Sequence, residues 1–198
     1  ANYAAVARFM GRLAAIPVSR DAGRVRTGAV NIATAGLSDG KKATDPDYYD
    51  DDQLSAIDSA GYIFLRSFDG LAGWFWNADY TAAPSTDDCD TIRMGRTLDK
   101  AADLARLKAL EWLRDDVEID ASTGEIAPEV VRSIQADIET AVLTQMSEEI
   151  SGVACTIDPA QSLWNVDTPL VMDLAIVARG VIAHMKINVY YTNSLSDD

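Results

Sequence analysis

Residues 128–157 read PEVVRSIQADIETAVLTQMSEEISGVACTI, and a change of period inside that stretch decides the fold class. Pro128 sits where a first helical residue tolerates the missing N–H. Behind it Val131, Ile134, Ile138, Val142 and Met146 recur every three or four residues, which places them on one face of a helix. From Ile150 the period falls to two. Val153, Cys155 and Ile157 alternate with Ala154 and Thr156, so a strand with one covered face follows the helix. Met172, Leu174 and Ile176 alternate with Asp173, Ala175 and Val177 in the same way and predict a second strand.

Upstream, residues 97–117 predict another long helix. Leu98, Ala101, Ala102, Ala105, Ala109, Trp112 and Leu113 fall on one face, and Asp99, Lys100, Asp103, Arg106 and Lys108 on the rest. Residues 2–16 predict a first helix through Ala5, Phe9, Leu13 and Ile16, stopped by Pro17, and a short helix is expected before Ala60. Tyr62–Arg66 and Gly73–Trp76 read as hairpin strands across Asp69-Gly70, and residues 29–33 suggest a further short strand. Residues 37–52, with Asp45, Asp47, Asp50, Asp51 and Asp52, read as an exposed acidic loop. Near the C-terminus Val181, Ala183, Met185, Ile187, Val189 and Tyr191 point one way and His184, Lys186 and Asn188 the other, which predicts a strand with one buried face. The expectation is one domain over 1–198 of α/β (α+β) class, a mixed or antiparallel sheet packed against two long helices.

The chain has 198 residues, with 31 acidic side chains against 17 basic ones and a formal net charge of -14. Such a charge repels phosphate backbones and anionic lipid surfaces, so neither nucleic acid nor membrane is an expected partner. No stretch approaches the roughly 18 apolar residues of a membrane span. Cys89 and Cys155 lack the paired spacing of a zinc site or a disulfide framework, which favours a reducing compartment.

Catalytic chemistry finds no foothold. His184 is the only histidine, so no histidine-based relay or conventional zinc site can be assembled. Cys89 lies between Asp88 and Asp90, where a thiolate is disfavoured, and Cys155 reads as a small buried hydrophobe. Gly36-Leu37-Ser38-Asp39-Gly40-Lys41-Lys42 has three residues between its glycines and no hydroxyl after the lysine, so it fails as a phosphate loop. No catalytic residue, cofactor or metal is therefore expected, and the chain is read as a non-enzyme. Two alternatives stay open. Trp74, Trp76 and Tyr80 form a candidate platform for a glycan or peptide, against strand core or subunit contact. A metal-dependent carboxylate hydrolase using Asp45–Asp52 is the weaker one, because that loop lacks the glycine and terminal glutamate of a calcium loop.

In order along the chain, Ala4-Ala5-Val6-Ala7 through Gly11-Arg12-Leu13, then Ile16-Pro17-Val18-Ser19, Gly61-Tyr62-Ile63-Phe64-Leu65-Arg66, Gly73-Trp74-Phe75-Trp76, Ile92-Arg93-Met94-Gly95-Arg96-Thr97-Leu98-Asp99-Lys100-Ala101 and Glu149-Ile150-Ser151-Gly152-Val153 form a set. That set resembles the conserved C-terminal region of contractile phage tail sheath proteins. The resemblance implies a virion tail protein assembled in the bacterial host cytoplasm, with a related bacterial injection system as the alternative parent. It further implies homo-oligomeric rings of sheath subunits around an inner tail tube protein, seated on a baseplate, which contract without hydrolysing nucleotide. The family joins subunits by exchanging terminal strands, a form of β-augmentation. On that basis Val181, Ala183, Met185, Ile187, Val189 and Tyr191 are the candidate inter-subunit strand, with an ordinary internal hairpin strand as the alternative. Lys100, Arg106, Lys108 and Arg114 are the candidate tube contact, with a solvated helix face as the alternative.

Overall fold

A computed structural model of the chain describes residues 4–27, 29–30, 50–84, 86–160, 169–183, 185–188 and 191. Among them are four α-helices and four strands. In chain order these are α1 (Ala4–Ala15), α2 (Asp51–Ser59), β1 (Leu65–Arg66), β2 (Phe75–Trp76), α3 (Ile92–Ala109), α4 (Pro128–Met146), β3 (Ile150–Ile157) and β4 (Met172–Ala178). The strands form two separate antiparallel pairs, β1 with β2 and β3 with β4, so the fold is α+β.

The predicted α4 stripe is the core. Val131, Ile134, Ile138, Val142 and Met146 are all buried, and Cys155 and Ile157 of β3 pack against the first part of the stripe with Ile126. Val142 and Met146 meet Ala101 of α3 and Ile150, with Leu174 and Ile176 of β4 alongside. Ala101 has no accessible surface, which lets α3 approach closely. The β3–β4 pair therefore lies against α3 and α4 with one face, while Ser151, Ala154 and Thr156 and, on β4, Asp173, Ala175 and Val177 face outward.

The second helix is displaced from its expected span of 97–117. It starts at Ile92 because the chain arriving from β2 caps it: Ile92 N–H donates to the Asp79 carbonyl at 2.7 Å and Arg93 N–H to Asp79 Oδ2 at 3.0 Å. It ends in a 3₁₀ turn at Leu110–Trp112, after which Leu113 is extended and Arg114 turns left-handed at φ 67°. Leu98 and Leu113, expected on the buried face, are exposed.

A second cluster gathers Phe9, Leu13 and Ile16 of α1 and its exit, Ala22, and Trp76 of β2. The β1–β2 hairpin is shorter than expected, with Leu65 opposite Trp76 and Arg66 opposite Phe75. Beyond that ladder the Asn77 side chain takes over. Its Oδ1 accepts from Phe64 N–H at 2.7 Å, and its amide nitrogen donates to Asp58 Oδ1 at 2.6 Å and the Tyr62 carbonyl at 2.9 Å. Val30 bridges to Trp74, Ala29 carries no strand, and residues 31–33 of the strand expected at 29–33 lie outside the described residues.

Gly23 runs under this hairpin, where a Cβ would stand 2.7 Å from the Trp76 carbonyl oxygen and 3.1 Å from that of Asn77. Because the obstacle is backbone, Gly23→Ala is expected to lower stability by about 1–3 kcal/mol. Urea unfolding of the two proteins reads the difference directly. The acidic loop also needs correcting at its end. Asp50 is the N-cap of α2, accepting from Gln53 N–H at 2.8 Å in a capping box, and Asp51 and Asp52 occupy the first turn, where carboxylates favour the helix dipole. The rest of that loop, Asp45 and Asp47 included, lies outside the described residues, as does the 36–42 glycine stretch.

Candidate functional site

The ladder between β3 and β4 sets Val153 opposite Ile176, Cys155 opposite Leu174 and Ile157 opposite Met172. Cys155 N–H leaves the ladder and donates to Glu139 Oε1 of α4 at 2.8 Å. The Cys155–Leu174 pair is thus one whose backbone groups point away from each other. By the same alternation the N–H and C=O of Met172, Leu174 and Ile176 point to the outer side of β4. On the outer edge of β3, Glu139 of α4 thus satisfies the Cys155 N–H. Among the described residues nothing bonds to the outer edge of β4, so within that set its outward N–H and C=O groups are unpaired.

Alongside that edge runs a groove of about 430 Å³ between α3 and β4. Its walls are Leu98, Ala102, Ala105 and Ala109 of α3 and Met172, Leu174 and Ile176 of β4, with Ile138 and Cys155 at the floor and Arg106 as its one cation. The same three β4 residues therefore offer backbone bonds outward and apolar side chains to the groove. Burial pushes the Cys155 thiol up, with Glu139 and Asp173 adding to it, so it stays a neutral wall group.

The described residues of the chain's last segment fill neither feature. Residues 179–183 and 185–188 carry no strand, and the expected buried face is open: Met185 is 74% exposed and Ile187 75%, with Val181 and Tyr191 exposed too. The expectation of a strand buried within the chain is thereby corrected, because no second strand of the described chain lies beside it to cover an alternating face. Val189 and His184 lie outside the described residues.

The four cations chosen for tube contact do not share one face. Lys100 pairs with Glu149, and Lys108 with Glu111 at 2.6 Å and Asp137 at 4.0 Å. Arg106 is at the groove and Arg114 past the helix end; among the described residues neither has a carboxylate in ion-pair range. The aromatic platform loses Trp76, while Trp74 and Tyr80 are half-buried. Trp76 is 3% exposed beneath Phe9, their rings 4.9 Å apart and edge-on, and Phe75 is buried against Phe68 at 5.6 Å. Both faces of β2 are covered, so alternation does not sort Trp74 and Trp76 onto one exposed face. Among the described residues no three His, Cys, Asp or Glu side chains are placed to share a metal ion, and no helix is long and apolar enough to cross a membrane.

Sequence reading passed over one cluster altogether. Asp79, Arg93 and Asp21 meet where the hairpin hands over to α3, with Arg93 Nη1 3.1 Å from Asp21 Oδ2 and 3.9 Å from Asp79 Oδ1. Nothing in local spacing relates three positions so far apart in the chain.

Two family models match the chain: DUF2586, N-terminal domain, over residues 1–79, and DUF2586, C-terminal domain, over residues 88–196. Neither the curated proteins nor the solved structures give a match.

Proposed function

Given that the chain belongs to the DUF2586 family, we propose that it is a structural subunit of a contractile tail sheath, linked to its neighbours by adding a strand to β4. Membership brings no activity with it. The observation that carries the reading is, among the described residues, one unpaired strand edge and one exposed, alternating apolar segment. Residues 181–191 of one subunit lie along β4 of the next. Their backbone exchanges bonds with Met172, Leu174 and Ile176, and Val181, Ala183, Met185, Ile187, Val189 and Tyr191 extend the apolar face that lines the groove. A joint made of backbone bonds keeps its pairing while the bodies on either side rotate. The extended and contracted sheaths are then two packings of the same linked subunits, and the work comes from the difference between them without nucleotide chemistry. The partners are other sheath subunits, the inner tube protein and the baseplate, in a virion tail assembled in the host cytoplasm. Arg106 and Arg114 remain the candidates for tube contact.

Leu174→Pro tests the joint. It deletes an N–H that points away from the β3–β4 ladder, so the pair should survive, as prolines do on sheet edges. Electron microscopy of the full-length protein should show rings or tubes for the wild type. The variant should need about five- to tenfold more protein to assemble, the effect of losing roughly one hydrogen bond per joint, while keeping its far-UV circular dichroism. Wild-type monomers that never assemble, or a variant that assembles as readily as the wild type, would remove the reading.

A further inference from the structure

Three elements converge on one buried carboxylate. Asp79 follows β2 and is 1% exposed; Asp21 lies in the turn after α1; Arg93 stands in the first turn of α3. Asp79 Oδ2 accepts from Arg93 N–H, but its Oδ1 has no hydrogen-bond partner. The guanidinium it would need is shared: Arg93 Nη1 donates to Asp21 Oδ2 at 3.1 Å and stands 3.9 Å from Asp79 Oδ1. Asp21 is held in place by Gly23 N–H, which donates to its Oδ1 at 2.6 Å. One cation therefore serves two carboxylates, one of them sealed from water with a bare oxygen.

We propose that Asp79, Arg93 and Asp21 form a proton-operated latch between residues 1–79 and α3, closed when Asp79 is protonated and loosened when it is ionised. Besides the two bonds Asp79 accepts from the start of α3, the joint holds the Arg96 Nη2 bond to the Ile16 carbonyl at 3.2 Å, the packing of Ile92 against the Phe9–Trp76 cluster, and the contact of Val18 with the core formed by α3 and α4. An ionised Asp79 must leave Oδ1 uncompensated in the interior and face the Asp21 charge, costs that a neutral acid avoids. The other charged or titratable groups nearby are Tyr80 and Asp58 toward α2, and Arg12, Arg20 and Arg24 around Asp21. The Arg93 charge and N–H pull the other way.

Burial first, and Asp21 second, raise the Asp79 carboxyl to about 6 from 3.8. The folded state thus holds the proton more tightly than the unfolded chain does. The stabilisation is complete below about 4 and is lost as pH rises through about 6. At tenfold per unit, the opening equilibrium changes by up to about a hundredfold across that window.

The latch is independent of the sheath reading, since a chain that never assembles would still carry it. The test is amide exchange on the whole chain at Ile92 and Arg93, corrected for the intrinsic pH dependence of exchange, beside a ¹³C carboxyl titration of Asp79. Protection should fall as pH rises above about 4, by up to about a hundredfold, and level off once Asp79 has titrated. Asp79→Asn should flatten the profile. Should that variant not fold, Asp21→Asn decides, by moving the Asp79 midpoint downward as the neighbouring charge is removed. Protection that is flat with pH, an Asp79 titrating in the ordinary carboxylate range, or a midpoint that Asp21→Asn leaves unmoved would each overturn the latch.

Discussion

A chain ending at Gly180 is expected to fold normally and to lose assembly completely. Of the described large apolar side chains removed by that truncation, Ile182 is 78% exposed, Met185 74% and Ile187 75%, and only Val181, 43% exposed, buries more than half of its surface. Surface groups of this kind contribute within about 0.5 kcal/mol to stability. The nearest retained tie, Arg179 Nη2 donating to the Ser147 carbonyl at 3.0 Å, stays in place. Far-UV circular dichroism and the urea midpoint should therefore match the full chain, while sedimentation velocity should find monomers only. A synthetic peptide of residues 181–198 added to the truncated chain should bind it, and Leu174→Pro in that chain should weaken the binding. An unfolded truncation product would show instead that the segment belongs to the chain's own core.

Trp76→Ala carries the largest expected loss of stability, about 3–5 kcal/mol. The indole is 3% exposed, stacked edge-on with Phe9 and packed with Leu13, Ile16 and Ala22, so its removal empties the centre of the N-terminal cluster. A folded protein of this kind has only about 5–15 kcal/mol in total, and the midpoint of urea unfolding should fall accordingly. Trp76 Nε1 has no hydrogen-bond partner. Trp76→Phe, which deletes that unpaired donor and keeps an aromatic ring, should cost much less than the alanine. Nearly equal losses for the two would mean that the indole's size, not its ring contact, holds the cluster. The same burial separates this tryptophan from ligand binding: acrylamide should quench Trp74 well before Trp76.

The stripe Val131–Met146 and the alternation Val153–Ile157 were legible because each is a property of consecutive residues, and each side chain went where its period placed it. The Asp69-Gly70 turn marked the hairpin correctly, with Gly70 at φ 81°. At one end its ladder stops early because the Asn77 side chain takes the Phe64 N–H, while Asn77 N–H still donates to the Phe64 carbonyl at 3.0 Å, an exchange that composition does not announce. The start of α3 was misplaced for a related reason. Its cap is Asp79, which lies outside the helix's own sequence, and helix periodicity carries no trace of a donor's distant partner.

Of the candidate site, the alternation at 181–191 was visible in the sequence, and so was that of Met172, Leu174 and Ile176. Periodicity states that a face needs a cover but not what covers it. By itself the sequence determined the α+β class, the face of α4 that is buried and the absence of recognisable catalytic motifs, since these depend on residue type and short-range spacing. Only the tertiary structure decided that the outer edge of β4 is unpaired among the described residues while Glu139 of α4 takes the Cys155 N–H on that of β3, that the described C-terminal segment lies outside the core, and that Asp21, Asp79 and Arg93 meet. Each of those depends on which distant segments come into contact, and contact is settled by packing in three dimensions.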